Sequence, residues 1–133
     1  MRRIIAIMSL LAVLLAGAGM ASAGAAAPLS TPELKQVIGS GKKSTIVFFQ
    51  NPQGGPCRAQ KEILEKLQKD RKSNYNIANV STMKESDQKA FYEYGIRNLP
   101  SLILVDKSGN ISRVFPPGIQ TAETLAPALD GLK

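Results

Sequence analysis

Residues 45–49 (Thr45, Ile46, Val47, Phe48, Phe49) form a run of strand-favouring residues with no polar alternation, which predicts a short strand covered on both faces. A strand of that kind needs helices on either side of its sheet, and the flanking patterns provide them. Upstream, Ser30 and Glu33 stand at capping-box spacing with Pro32 in the first turn, predicting a helix that ends near Gly39. Downstream, Pro56 opens a helix to about Lys72, with Ala59, Ile63, Leu64 and Leu67 as its apolar stripe. A second strand is expected over 75–80. Thr82 and Glu85 offer another capping box, for a helix that turns Ala90, Phe91 and Tyr94 inward and closes on Gly95. Residues 101–105 and 111–115 flank the turn 106–110 as a hairpin. The last helix starts near Thr121, and Pro127, inside its Leu125, Leu129, Leu132 pattern, is expected to kink it or postpone its start. The order α, β, α, β, α, β, β, α predicts an α/β domain: a mixed sheet of about four strands with helices on both faces.

The chain begins outside that pattern. Met1, Arg2 and Arg3 give a basic start, 4–19 is uncharged and mostly apolar, and Ala21, Ser22, Ala23 make a small-x-small cleavage site. Residues 1–23 are therefore expected to be a signal peptide, with a boundary as late as 27, leaving a linker over 24–30 and one domain over 31–133. An uncleaved anchor is the alternative, because no charge appears from 4 to 27. The expected location is periplasmic, or otherwise exported, with no membrane contact after cleavage. Cleavage removes Arg2 and Arg3 from the 17 basic residues against an unchanged 10 acidic ones, leaving net +5.

Composition excludes several chemistries. There is no histidine, so no Ser-His-Asp triad, no Cys-His dyad and no imidazole base. One cysteine and no histidine are too few soft ligands for zinc or copper, so no metal is expected. Neither a P-loop nor G-x-G-x-x-G occurs, and no cofactor is expected. The charges between Arg58 and Lys72 fall at i,i+4 (Glu62 with Lys66, Glu65 with Lys69, Lys66 with Asp70) without interleaved aromatics, which describes a solvated helix face and not a nucleic-acid surface.

The single cysteine, Cys57, closes the segment Gln53, Gly54, Gly55, Pro56, Cys57 at a helix start. About forty residues later comes Tyr94-Gly95-Ile96-Arg97-Asn98-Leu99-Pro100, followed by the hairpin and Gly118 before the last helix. Together these resemble the thioredoxin-like family over about 31–132, in an exported, degenerate version in which C-x-x-C is reduced to G-x-x-C. The resemblance implies the thioredoxin fold, a cis bond at Leu99-Pro100 facing Cys57, and a groove for extended peptides beside Leu99. The family's opening strand has no clear counterpart, implying a shortened version. The departures bear on chemistry. Gly54 stands where the family has its attacking cysteine, Gln53 where an aromatic precedes it, Phe48 where it has a buried acid, and Asn79 where a lysine often accompanies that acid.

A lone thiol cannot close an internal disulfide, so efficient dithiol reduction is not expected. Catalysis, if any, falls to Cys57 as nucleophile with Pro56 and Pro100 beside it, and substrate contacts to Gln53, Gly54, Gly55, Asn98 and Leu99. The expected partner is a thiol- or disulfide-containing exported protein or a small thiol, joined as a mixed disulfide. The alternatives stay open: a redox-silent peptide-binding or chaperone-like module using the cis-proline groove, Cys57 as a small buried hydrophobe, or a disulfide-linked dimer through Cys57. A peroxiredoxin-like peroxidase needs Thr or Ser three residues before the cysteine, where Gly54 stands. Because Gly54 removes covering atoms, Cys57 is expected to be more accessible than the second cysteine of an intact motif.

Overall fold

The computed structural model describes residues 22–132; the apolar leader falls almost wholly outside them. In chain order the elements are α1 (Pro32–Gly39), β1 (Ser44–Gln50), α2 (Gly55–Asp70), β2 (Tyr75–Ser81), a 3-10 turn (Glu85–Asp87) leading into α3 (Gln88–Glu93), β3 (Ser101–Val105), β4 (Ile111–Val114) and α4 (Ala122–Asp130). The sheet order is β2-β1-β3-β4, with β1 parallel to β2 and the other neighbours antiparallel. This is an α/β thioredoxin fold.

β1 lies at the centre and divides two cores, as an unalternating apolar strand requires. Val47 and Phe49 face Leu34 and Ile38 of α1 and Ala90 and Tyr94 at α3. Ile46 and Phe48 face Leu64 and Leu67 of α2 and Leu125 and Leu129 of α4. The Phe49 ring meets Phe91 edge-on at 5.3 Å and Tyr94 at 5.1 Å. Each fully buried side chain of this size contributes about 1.5–3 kcal/mol from removal of apolar surface.

Several local expectations are corrected. The N-cap of α1 is Thr31, whose Oγ1 accepts from Leu34 N–H at 3.0 Å, and not Ser30 with Glu33. Pro32 sets this, because the residue before a proline is driven to extended backbone and Pro itself takes the first helical position. Glu33 is thereby free to reach β2, where its Oε2 accepts from Asn79 N–H at 2.6 Å. No capping box forms at Thr82 and Glu85. The Asp87 carboxylate accepts from Ser81 N–H at 2.8 Å instead, and Gln88 donates to the Thr82 and Lys84 carbonyls. On α2 the buried stripe is Cys57, Gln60, Leu64 and Leu67, while Ala59 is exposed. α4 begins at Ala122 and retains Pro127 in its interior, so its start is not postponed. Gly95, at φ 68°, does terminate α3: Ile96 N–H reaches the Phe91 carbonyl at 2.9 Å.

Among the described residues no strand pairs outside β2, where the family's opening strand would lie. Side chains meet that edge: Glu33 takes Asn79 N–H, Asp87 takes Ser81 N–H, and Gln68 donates to the Tyr75 carbonyl at 2.8 Å. At the other end of the sheet, residues 24–27 run beside the hairpin. Gly24 N–H donates to the Ile111 carbonyl, Ile111 N–H to the Ala25 carbonyl and Ala27 N–H to the Gly109 carbonyl, at 2.7, 2.7 and 2.9 Å. Tyr94 closes this contact by donating to the Pro28 carbonyl.

Candidate functional site

β1 ends at Gln50 and the chain enters α2 through a tight turn over 51–54. Asn51 Oδ1 accepts from Gln53 N–H at 3.0 Å and the Asn51 carbonyl from Gly54 N–H at 2.9 Å, an Asx turn laid over a backbone turn. Arg58 locks it from the helix side, its Nη1 donating to the Gln53 carbonyl at 2.9 Å. Gly54 is the N-cap, and with no side chain it leaves α2 uncapped. Cys57, the third helical residue, turns its sulfur back under the turn, where Sγ accepts from Asn51 N–H at 3.4 Å.

Cys57 is 3% exposed, so the expected opening at Gly54 is not there. The turn backbone itself covers the sulfur: a Cβ at position 54 would lie 3.9 Å from Cys57 Sγ, beside the Asn51 carbonyl at 3.4 Å. Losing the attacking cysteine's side chain at position 54 leaves this cover intact. Gln53, Gly55 and Pro56 are exposed on the outside of the turn, and Gly54 is half-buried.

The second group of predicted residues precedes β3. The Leu99-Pro100 bond is cis, Pro100 is buried, Leu99 half-buried and Asn98 exposed. Ser101 Oγ donates to the Asn98 carbonyl at 2.6 Å, and Gly118 N–H to the Pro100 carbonyl at 2.9 Å. Because Phe49 of β1 is paired with Ser101 of β3, the 51–57 turn and the 98–100 segment leave the sheet side by side at one end. A concavity of about 250 Å³ lies beside Asn98, walled by Ile96, Phe115 and Pro117, and the Cys57 turn is not part of its lining.

Phe48 and Asn79, which stand where the family has an acid and a lysine, are directly opposite each other in the β1–β2 ladder. Phe48 is buried among apolar side chains. Asn79 Oδ1 accepts from Gln50 at 2.8 Å and its N–H is held by Glu33. Neither position carries an ionisable group.

Two positions that hold the loops around Cys57 and Pro100 escape sequence reading. Asn51 is one, though its place before Pro52 is the signal of an Asx turn. Gln60 is the other, one turn beyond Cys57 on the buried face and 0% exposed. Its Nε2 donates to the Gln120 carbonyl at 3.0 Å and its Oε1 accepts from Gln120 N–H at 2.6 Å, so both ends of the amide are engaged by one residue's main chain. Gln120 in turn donates to the Pro116 carbonyl at 2.8 Å. The loop 116–120 is thus tied to α2 through Gln60 and to the cis-proline segment through Gly118. Among the described residues no cluster of three or more His, Cys, Asp or Glu side chains could hold a metal.

A family model described as a thioredoxin-like domain matches residues 31–133. A thioredoxin of Pyropia yezoensis is 25% identical over 96 residues, covering 72% of this chain and 86% of the relative. Among solved structures, an uncharacterized thioredoxin-like protein from Clostridium perfringens superposes with TM-score 0.62 at 23% identity, over 68% of this chain and 71% of that one. The thioredoxin of Fasciola hepatica superposes with TM-score 0.61 at 20% identity, over 79% and 97%.

Proposed function

The chain belongs to the thioredoxin-like domain family, and on that premise we propose that it is an exported monothiol protein acting through Cys57. The observation that carries this reading is the sulfur's position: in the first turn of α2, accepting the Asn51 amide, 3.9 Å from where a side chain at 54 would begin. The thiol loses its proton, and the thiolate attacks one sulfur of a partner's disulfide. That S–S bond breaks, a bond to Cys57 Sγ forms, and the partner's other sulfur leaves as a thiolate. The chain holds no second cysteine, so a small thiol or a partner's thiol must attack the mixed disulfide to release Cys57. Intramolecular resolution gains an effective molarity of order 10⁵ M or more, so turnover here is slow beside a dithiol centre. Since the 51–54 turn covers the sulfur, its opening precedes reaction.

Burial of Cys57 favours a second reading, a redox-silent module that holds an extended peptide by main-chain pairing beside Leu99. Incubation of the full chain with glutathione disulfide, followed by intact mass measurement, separates the two. Monothiol chemistry gives a glutathione adduct on the folded protein that Cys57→Ser abolishes. No adduct on the folded chain, with complete modification of the urea-unfolded chain, leaves the peptide-binding module.

A further inference from the structure

We propose that the end of the molecule opposite the Cys57 turn carries a binding site for phosphate-type oxyanions. Three connections and the end of α4 converge there. Lys42, Lys43 and Ser44 lead into β1, Arg71 and Asn74 join α2 to β2, Lys107 lies in the β3–β4 turn, and Leu129 and Leu132 end α4; these line a cavity of about 180 Å³. β1 separates it from Cys57 by its whole length of seven residues.

Donors and acceptors in this cavity are unequally used. The Ser73 carbonyl accepts from Lys43 Nζ at 2.7 Å, Asn74 Oδ1 from Arg71 Nε at 3.2 Å, and Asp130 Oδ1 from Arg71 Nη2 at 2.7 Å. One oxygen of each nearby carboxylate is thereby engaged, Asp130 Oδ1 by Arg71 and Asp106 Oδ1 by Ser108 and Asn110 N–H, and no carboxylate among the described residues lines the cavity itself. The ammonium groups of Lys42 and Lys107, the Ser44 hydroxyl, the Asn74 amide nitrogen and Arg71 Nη1 are engaged by no described residue. A concavity lined by donors left over and by no carboxylate selects a ligand made of acceptors. Arg71 is held ready, its side chain 17% exposed and fixed on two sides.

Charge points the same way. Lys42, Lys43, Arg71 and Lys107 line the cavity, and Lys72, Asp106 and Asp130 adjoin those residues in sequence; with roughly half a negative unit at each of the α2 and α4 C-termini, these groups sum to about plus two. Two exposed lysines elsewhere are ion-paired, Lys66 with Asp70 at 3.3 Å and Lys89 with Glu93 at 3.8 Å, and they serve as the comparison pair. The turn that supplies Ser73 and Asn74 is also strained, with Lys72 and Ser73 at φ 57° and 59°. The left-handed region is unfavourable for non-glycine residues, and strain of this kind gathers at ligand clamps.

The site is tested with inorganic pyrophosphate titrated into the full chain at physiological salt, followed by nuclear magnetic resonance. A parallel arm measures sedimentation with vesicles of phosphatidylglycerol and of phosphatidylcholine. Saturable shifts confined to 42–44, 71–74 and 107 support a free phosphate-type ligand; sedimentation with phosphatidylglycerol alone, lost with the same lysines, supports a lipid headgroup carrying the same group. In whichever arm binds, Lys42→Ala with Lys107→Ala weakens binding by about tenfold or more. Lys66→Ala with Lys89→Ala changes it less than about twofold. Absence of saturable binding in both arms, or equal loss in the two variant pairs, overturns the proposal.

Discussion

At Gly54 the backbone angles, φ −84° and ψ 137°, are ones any residue adopts, and an added Cβ meets nothing closer than the Asn51 carbonyl at 3.4 Å. The position is therefore glycine for reasons other than backbone geometry. Gly54→Ser gives α2 a capping oxygen and restricts the unfolded chain, so it is expected to raise stability by about 0.5–1 kcal/mol in urea unfolding. A loss of stability would mean that the turn rejects a side chain. Gly54→Cys is expected to form an internal disulfide with Cys57 once its sulfur swings off the Asn51 amide, read as loss of free thiol in the folded chain. Insulin reduction by that variant should remain poor, because Phe48 supplies no proton acceptor beside the pair. The native thiol makes its own prediction: with 3% exposure, Cys57 should label at least about tenfold slower folded than in urea.

Between α2 and the loop before α4, one amide holds two elements together, and this can be tested by charge. Gln60→Glu keeps the acceptor for Gln120 N–H but turns a carboxylate oxygen toward the Gln120 carbonyl. Only the protonated acid can donate there, so the folded state raises this group above the ordinary glutamate value of about 4.3. The variant's stability is accordingly greatest below that pH and declines as pH rises through the raised folded value. A flat profile between about pH 4 and 8 in thermal unfolding would show that Gln60 is not paired with the loop. Gln60 also marks where local reading ends. The strand over 45–49, the helix opened by Pro56 and the Gly95 stop were legible because apolar runs, prolines and glycines act on near neighbours. Gln60 is missing from the expected stripe, where Ala59 stands in its place, because the partner that makes its burial possible is 60 positions away. Cys57 was placed on the right helix and misjudged in exposure, since its cover comes from the Asn51 amide and turn backbone rather than from the missing side chain.

For the whole molecule, two buried phenols set the alkaline limit. Burial holds the Tyr75 and Tyr94 hydroxyls well above the ordinary tyrosine range, while each donates to a carbonyl, of Leu64 and Pro28 respectively, at 2.7 Å. Each keeps its proton to higher pH folded than unfolded, so their contribution is complete below about pH 10 and is lost as pH rises beyond it. A Tyr75→Phe, Tyr94→Phe variant should be less stable at neutral pH and show a shallower alkaline decline. Tyr94 also anchors the segment at which the proposed processing would cut, by donating to the Pro28 carbonyl. Processing after Ala23 would leave Gly24 to start the segment beside the hairpin, keeping its contact to Ile111, the Ala25 and Ala27 bonds, and Ala27 at 6% exposure in the core. Processing as late as Ala27 removes all three main-chain bonds and that side chain. At roughly 0.5–1.5 kcal/mol for each bond, a chain beginning at Gly24 should exceed one beginning at Pro28 by about 2 kcal/mol or more in urea unfolding. The mature protein recovered from an exporting bacterium should then have the intact mass of a chain starting at Gly24. Equal stability of the two chains would detach the 24–27 segment from the fold, and a mature mass starting at Pro28 would place the boundary beyond it.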